Sequence, residues 1–135
     1  MIDIRPVGYF VGWLVAALGG FMLAPMLADM IAGSGNGDEF ATTAIITIVA
    51  GTVLMFSCQS GQTTAMNVQQ SFLLATGIWM IFPFFGALPF WLGSPNATFT
   101  DALFESMSAL TTTGATVFVG LQHLPEGTLL WRGML

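Results

Sequence analysis

The segment SALTTTGATVFVG, residues 108–120, places three threonines and a glycine directly after a short apolar stretch. A membrane-spanning helix would continue there with apolar residues, so hydroxyl groups and a flexible residue interrupt it. Non-helical backbone is tolerated at membrane depth only where protein buries it or where it lines a water-filled path. The segment therefore points to a functional loop, provided that the chain is a membrane protein.

The composition predicts a membrane protein. Of the 135 residues, 55% are hydrophobic and only 7% are charged, and the mean hydropathy is +0.81. Soluble domains have about 25% charged residues, so this chain lacks the polar surface of a soluble domain. Two basic residues and a formal charge of −5 exclude a nucleic-acid-binding surface, which needs clustered Lys and Arg. Cys58 is the single cysteine, so neither an intrachain disulfide nor a cysteine metal cluster is expected.

Three apolar runs have the length of membrane-spanning helices, and inside a bilayer backbone hydrogen bonding favours helix for all of them. The sequence therefore predicts an all-α membrane protein. Polar connectors over residues 33–39 and 58–70 separate the runs. The predicted helices are 7–32, 40–57 and 71–93.

Four residues within these runs carry specific expectations. Pro25 is the expected kink of the first helix because proline removes a backbone donor. Pro83 and Pro89 are expected to bend or locally unwind the third helix. Asp29 lies near the end of the first run, where its carboxylate is expected to reach water at the membrane interface.

The charges next to the first helix indicate its orientation. Arg5 precedes this helix, whereas Asp38 and Glu39 follow it. Basic residues are enriched on the cytoplasmic side of membrane proteins. The N-terminus is therefore expected to be cytoplasmic.

A fourth apolar segment, 99–110, is too short to cross the membrane, because 12 helical residues extend about 18 Å. Thr100 is the predicted N-cap, and Asp101 in the first turn suits the positive end of the helix dipole. The interruption after Leu110 predicts a re-entrant helix followed by an extended loop. The C-terminus of such a helix favours a cation, and threonine and glycine carbonyls can replace its hydration shell.

The spacing of the threonines leaves a second interpretation open. A glycine-containing turn between two interfacial helices, with the threonines as caps, has the same residues in the same order. Gly114 would supply conformational freedom in either case. Spacing alone does not separate an ion filter from such a turn.

One stretch of the chain carries a family resemblance. It reads DALFESMSALTTTGATVF, with GALPFWL before it and GLQHLPEGTLLWRGML after it. It resembles the first pore repeat of the TrkH-type subunits of the Trk/Ktr/HKT potassium transporter superfamily. The resemblance extends over the whole chain and implies two leading transmembrane helices in residues 1–66 and the first pore repeat in 67–135. Within that repeat it implies an outer helix 71–93, a pore helix 99–110, a filter loop 111–116 and the truncated start of an inner helix 125–135.

The resemblance also implies roles for individual residues. Asp101 and Glu105 would support the pore helix, and Glu105 is expected to hydrogen-bond near the filter backbone rather than bind the ion. Potassium would be held chiefly through residues 112–114, and no cofactor is expected besides the transported ion. The implied filter ligands are Thr111, Thr112, Thr113, Gly114 and Ala115.

The function implied by the resemblance is potassium uptake across the bacterial cytoplasmic (inner) membrane, by a multi-pass protein. The chain stops inside an apolar segment, so it is expected to be a fragment of the ion-conducting subunit. Its implied partners are membrane lipid, the remaining pore repeats of the same transporter, a second copy in a homodimer, and a cytoplasmic nucleotide-binding regulatory subunit. The sequence does not decide whether the protein is a channel or a proton or sodium symporter. It also does not decide the order of ion selectivity or the gating mechanism.

The alternative function is a small structural or assembly membrane protein without transport activity. Gly19, Gly20 and Gly51 would suit close contacts between helices in such a protein. An enzyme is not expected, because the sequence has no metal-ligand cluster with the usual spacing, no nucleophile beside a base and no phosphate-binding glycine loop.

Overall fold

The computed structural model describes residues 3–35, 37–61 and 65–135, and this part of the chain contains helices and no strand. The predicted all-α class is confirmed. Asn36 of the first predicted connector and residues 62–64 of the second lie outside the described residues. The helices are α1 (Arg5–Phe21), α2 (Leu23–Ala32), α3 (Gly37–Ser57), α4 (Val68–Leu92), α5 (Phe99–Leu110) and α6 (Glu126–Met134), with 3₁₀ turns at Gln59–Gly61 and Leu121–His123.

Within the described ranges, three helical segments are long and apolar enough to cross a membrane: Arg5–Ala32, which joins α1 and α2, Gly37–Ser57 and Val68–Leu92. They correspond to the three predicted spans and make the chain a multi-pass membrane protein. Both connectors are shorter than predicted. Asp38 and Glu39 lie in the first turn of α3, where acidic side chains suit the helix dipole.

The second connector is shortened by a capping box at the start of α4. The Asn67 side chain accepts a hydrogen bond from the Gln70 backbone N–H at 2.9 Å, and the Gln70 side chain accepts one from the Asn67 N–H at 2.9 Å. The two bonds satisfy N–H groups at the helix N-terminus. The helix therefore begins at Val68 instead of residue 71.

The prolines act differently in the two long segments. The first is interrupted at Met22, where Pro25 lacks the N–H that would bind the Phe21 carbonyl, so α1 ends there. In α4 the helix is continuous across Pro83 and Pro89. The expectation of a locally unwound segment in α4 is therefore wrong.

Helices α1 and α3 approach each other through glycines. A Cβ on Gly12 would lie 2.5 Å from the backbone nitrogen of Met55, and one on Gly51 would lie 2.7 Å from the Gly12 carbonyl oxygen. Gly19 likewise leaves no room for a Cβ beside Ile48, at 2.7 Å. A Cβ on Gly20 would meet no atom of the described residues within 4 Å, so Gly20 makes no close helix contact within this chain. We call α1–α3 the leading hairpin.

Helices α4, α5 and α6 meet at Gly86, and we call them with their connecting loops the second unit. A Cβ on Gly86 would lie 2.5 Å from the Ser106 Oγ of α5, and the Gly86 carbonyl accepts a 3.0 Å hydrogen bond from the indole N–H of Trp131 in α6. The buried core extends from here into the leading hairpin and comprises Leu18, Met22, Phe40, Ala44, Ala87, Phe90, Ala102 and Trp131.

The end of α5 lies beside the middle of the long helices. Leu110, its last residue, lines a pocket of about 240 Å³ together with Leu18 and Phe82. Leu18 is near the centre of the segment Arg5–Ala32, and Phe82 is near the centre of α4. Helix α5 therefore extends about halfway along the bundle.

Candidate functional site

The start of α5 is fixed by Thr98. Its hydroxyl accepts a 3.2 Å hydrogen bond from the Asp101 backbone N–H and donates a 2.8 Å bond to the Asp101 carboxylate. Thr98 has the extended backbone, φ −61° and ψ 154°, that an N-cap requires. The predicted N-cap Thr100 is wrong by two residues, because Thr100 lies inside the helix. Asp101 contacts Thr98 and thus holds the helix end that is remote from the loop.

The loop leaves α5 with its N–H groups turned toward the helix. The backbone N–H groups of residues 111–113 donate to carbonyls of the last turn of α5 at 2.9–3.0 Å. The carbonyl oxygens of residues 111–114 accept no hydrogen bond from any residue that the structure describes. The loop therefore presents four backbone oxygens that are available to another ligand.

The φ angles alternate in sign along this stretch. Thr111 has φ −84°, Thr112 has φ +55°, and Gly114 has φ +73°. With Thr112 in the left-handed region, the bonds from the Thr112 N–H to the Ala109 carbonyl and from the Thr113 N–H to the Ser108 carbonyl form the Schellman geometry that ends a helix. A β-branched residue at positive φ is strained. Strain of this kind, about 1–3 kcal/mol, persists only where the surroundings impose it, and it clusters at functional sites.

Hydrogen bonds of three hydroxyl groups, those of Ser108, Thr111 and Thr113, shape the loop. Ser108 of α5 donates a 2.6 Å hydrogen bond to the Ala115 carbonyl, so that this carbonyl, unlike the four before it, is engaged with the helix. The hydroxyls of Thr111 and Thr113 lie 2.8 Å apart. A pocket of about 170 Å³ adjoins the loop and is lined by Ser108, Ala109, Thr112, Gly114 and Arg132.

Glu105 is the buried acid of the site. One carboxylate oxygen accepts hydrogen bonds from the Thr116 hydroxyl at 3.0 Å and from the Val117 backbone N–H at 3.2 Å. The other oxygen accepts from the Nε of Arg132, whose side chain is 24% exposed while that of Glu105 is fully buried. A buried carboxylate is costly unless it is paired and hydrogen-bonded. Glu105 therefore joins α5, the far end of the loop and α6 in one polar cluster.

After the residues that bind Glu105, the loop runs back toward the start of α5. The ring of Phe118 packs edge to face on Phe90, with centroids 5.5 Å apart, and Phe90 lies near the end of α4. The Ala97 N–H, just before α5, donates to the Phe90 carbonyl at 3.1 Å. Residues 111–118 thus retrace the length of α5, and exposed His123 follows in the 3₁₀ turn outside the loop.

Asp29 does not reach water as expected. It is fully buried, and its Oδ1 accepts hydrogen bonds from the Gly127 N–H of α6 at 2.6 Å and from the Ser34 hydroxyl at 2.8 Å. The expected interfacial role is therefore wrong, because the start of α6 covers the carboxylate.

Sequence reasoning also missed Arg132. A single arginine in α6 and a single glutamate inside α5 are each costly within the membrane region, which was a signal that the two would pair. The described residues contain no group of three or more His, Cys, Asp or Glu side chains that could hold a metal ion. The backbone oxygens without a hydrogen bond at the end of α5 are the carbonyls of residues 111–114.

Comparison with known proteins gives consistent matches. The model of the family TrkH, cation transport protein, matches residues 36–135. The chain is 39% identical to the Trk system potassium uptake protein TrkH of Salmonella typhimurium and to that of Escherichia coli K12, in both cases over 132 residues, 97% of this chain and 27% of the relative. It is 37% identical to the protein of the same name from Vibrio parahaemolyticus over 99% of this chain and 28% of the relative. The chain thus spans about a quarter of the length of these curated relatives.

Proposed function

Because the chain belongs to the TrkH family of cation transport proteins, we propose that it is part of the ion-conducting subunit of a potassium uptake system. Its relatives are named as potassium uptake proteins. In this proposal residues 111–115 line one side of the ion path. The observation that carries it is the row of four carbonyl oxygens, 111–114, that accept no hydrogen bond from the described residues.

Such carbonyls are suited to a weakly hydrated monovalent cation. A backbone carbonyl left without any partner in a dry site costs about 1–3 kcal/mol, and a ring of carbonyls can instead replace the hydration shell of potassium. Thr112, Thr113 and Gly114 are the proposed main ligands, and Thr111 can add its carbonyl or hydroxyl. Ala115 has one lone pair left beside the Ser108 bond. The C-terminal end of α5 adds partial negative charge next to these groups.

The path of the chain supports a re-entrant pore helix. Helix α5 begins beside the end of α4, ends beside Leu18 and Phe82 at mid-bundle, and the loop returns to Phe118. With the three long helices across the membrane, the loop would reach roughly the middle of the bilayer. With a cytoplasmic N-terminus, as Arg5 indicates, α5 would enter from the outside of the bacterial inner membrane.

Glu105 is the proposed support of the filter. Its bonds to Thr116 and Val117 fix the loop just beyond the ligand carbonyls, and Arg132 compensates its charge. The carboxylate is thereby occupied by three donors and is not itself an ion ligand. Asp101 supports the same helix from its other end through Thr98.

One loop faces an ion from one side only. We therefore propose that the remaining pore repeats of the same transporter complete the ion path. A homodimer and a cytoplasmic nucleotide-binding regulatory subunit are proposed as further partners from the family resemblance. No cofactor besides the transported potassium is proposed, and no enzymatic reaction.

The test is ion selectivity in the complete transporter, expressed in a host that lacks its own potassium uptake. Gly114→Ala places a side chain at φ +73°, where no atom obstructs a Cβ but the left-handed backbone costs about 1–2 kcal/mol. The loop then relaxes, and we expect the preference for rubidium over sodium in tracer uptake to fall about tenfold.

The matched control is Gly20→Ala, because a Cβ on this helical glycine also meets nothing within 4 Å. It should transport as the wild type does. If Gly114→Ala and Gly20→Ala were equally selective, the filter role would be wrong and the structural or assembly role would be favoured.

A further inference from the structure

The start of α6 is capped by a residue far away in the sequence. Pro125 precedes α6 and provides no side-chain cap, although the first N–H groups of a helix need acceptors. Asp29, at the end of α2, supplies one through its 2.6 Å bond from the Gly127 N–H. An anionic side chain at this position also suits the positive end of the α6 dipole. The leading hairpin thus caps a helix of the second unit.

The contact is closely fitted. Asp29 is fully buried, and its Oδ2 has no hydrogen-bond partner among the described residues. A Cβ on Gly127 would collide with the Asp29 carboxylate and would lie 2.5 Å from the Pro25 carbonyl oxygen. Glycine at 127 is therefore required for α6 to sit against the end of α2.

The cap is connected to the loop through rigid structure. Arg132 follows Gly127 by five residues in the same helix, about 7.5 Å along its axis. Arg132 pairs with Glu105, which holds Thr116 and Val117. A shift of α6 away from Asp29 would move the guanidinium relative to Glu105 and loosen the end of the loop.

We propose that Asp29 is a positioning residue that seats α6 and, through Arg132 and Glu105, sets the geometry of the ion filter. This inference rests on the proposed transport function. Contacts of Trp131 with Gly86 and of Thr128 with the Ser94 carbonyl hold α6 on the side of α4. Asp29 supplies the fixed point on the side of the leading hairpin.

The test compares Asp29→Ala with Glu126→Gln in the complete transporter. Glu126 is an exposed carboxylate in the same first turn of α6, so its replacement removes an equal charge without touching the buried contact. Asp29→Ala should lower the rubidium-over-sodium preference per transporter in the membrane about tenfold, as removal of outer-shell partners does in ligand sites. Glu126→Gln should keep the wild-type preference.

A second variant covers the case in which Asp29→Ala does not reach the membrane. Asp29→Asn keeps an oxygen for the Gly127 N–H and removes the charge from the helix N-terminus, and we expect about a threefold loss of preference. Wild-type selectivity in either variant at normal protein amounts would overturn the inference. If Gly114→Ala loses selectivity while the Asp29 variants do not, only this inference fails. If Gly114→Ala also has no effect, the proposed function itself fails.

Discussion

The leading hairpin and the second unit are both built from apolar helices, yet they are held together by different means. In the hairpin, α1 and α3 approach closely at Gly12, Gly19 and Gly51, and at Gly12 and Gly51 the nearest atoms of the other helix are backbone atoms. In the second unit, the Thr116 hydroxyl and the Val117 N–H of the loop and the Arg132 guanidinium of α6 all donate to Glu105 of α5. Apolar contact gives little net drive for association inside a bilayer, so helices there depend on close packing or on hydrogen bonds.

The two regions therefore have different structural roles. The leading hairpin anchors helices at a fixed distance, and the Glu105 cluster orients particular groups. Close backbone packing fixes the distance between two helices but has no directed bond that sets a particular atom. The Glu105 cluster sets the direction of Thr116, Val117 and Arg132 to within hydrogen-bond geometry. The region proposed to present backbone oxygens to an ion is the one held by directed bonds. Substitutions should therefore have different consequences in the two regions.

The largest effect is expected from Glu105→Ala. It leaves the partly buried Arg132 without its partner, and breaking a buried ion pair in this way costs about 3–5 kcal/mol. We expect this loss in the free energy of unfolding of the complete transporter in detergent, together with loss of rubidium-over-sodium preference. If the free energy of unfolding fell by less than about 1 kcal/mol, the Glu105 cluster would not be the main stabilising contact of the second unit.

A double variant sharpens the same point. Glu105→Leu with Arg132→Leu removes both charges, and apolar replacements of a buried pair are often neutral for stability. The Thr116 hydroxyl and the Val117 N–H still lose their acceptor. Stability should recover while selectivity stays low. Recovery of both would mean that the carboxylate acts only as a structural charge.

An intermediate effect is expected from Gly51→Ala in the leading hairpin. The new methyl group would collide with the backbone of Ala16 and lie 2.7 Å from the Gly12 carbonyl oxygen, and overpacking of this kind costs about 1–3 kcal/mol. Stability should fall, while the selectivity of each assembled transporter should stay at the wild-type value. Gly20→Ala is the control and should be neutral or stabilising by up to about 1 kcal/mol. Altered selectivity in Gly51→Ala would contradict the claim that packing in the leading hairpin affects stability but not the geometry of the loop.

The smallest effect is expected from Thr98→Ala, which removes the N-cap of α5 and costs about 1 kcal/mol. Thr100→Ala changes the same residue type two positions further on, within the helix, and should stay within about 0.5 kcal/mol of the wild type. Thermal unfolding of the two variants compares them directly. A larger loss of stability in Thr100→Ala than in Thr98→Ala would indicate that Thr100 is the N-cap, as predicted from the sequence.

The sequence predicted what depends on length and on local chemistry. Three spans follow from apolar runs, and the break before Pro25 follows from a missing donor. The short helix Phe99–Leu110 follows from its apolar spacing and the interruption after it. These features need no knowledge of distant residues.

Features set by tertiary contacts were not predictable in this way. Asp29 looked interfacial because its partner, Gly127, is 98 residues away in the chain. Thr98 and Thr100 differ as caps by backbone angles that residue type does not specify. The continuity of α4 across Pro83 and Pro89 equally depends on its surroundings. The roles of residues 111–115 as ion ligands remain predictions.

Adjacent residues of α6 hold different neighbours: Trp131 donates to the Gly86 carbonyl of α4, and Arg132 donates to Glu105 of α5. Consecutive side chains on a helix point about 100° apart. These two bonds therefore restrain α6 in two different directions. Twisting α6 about its own axis would break both together.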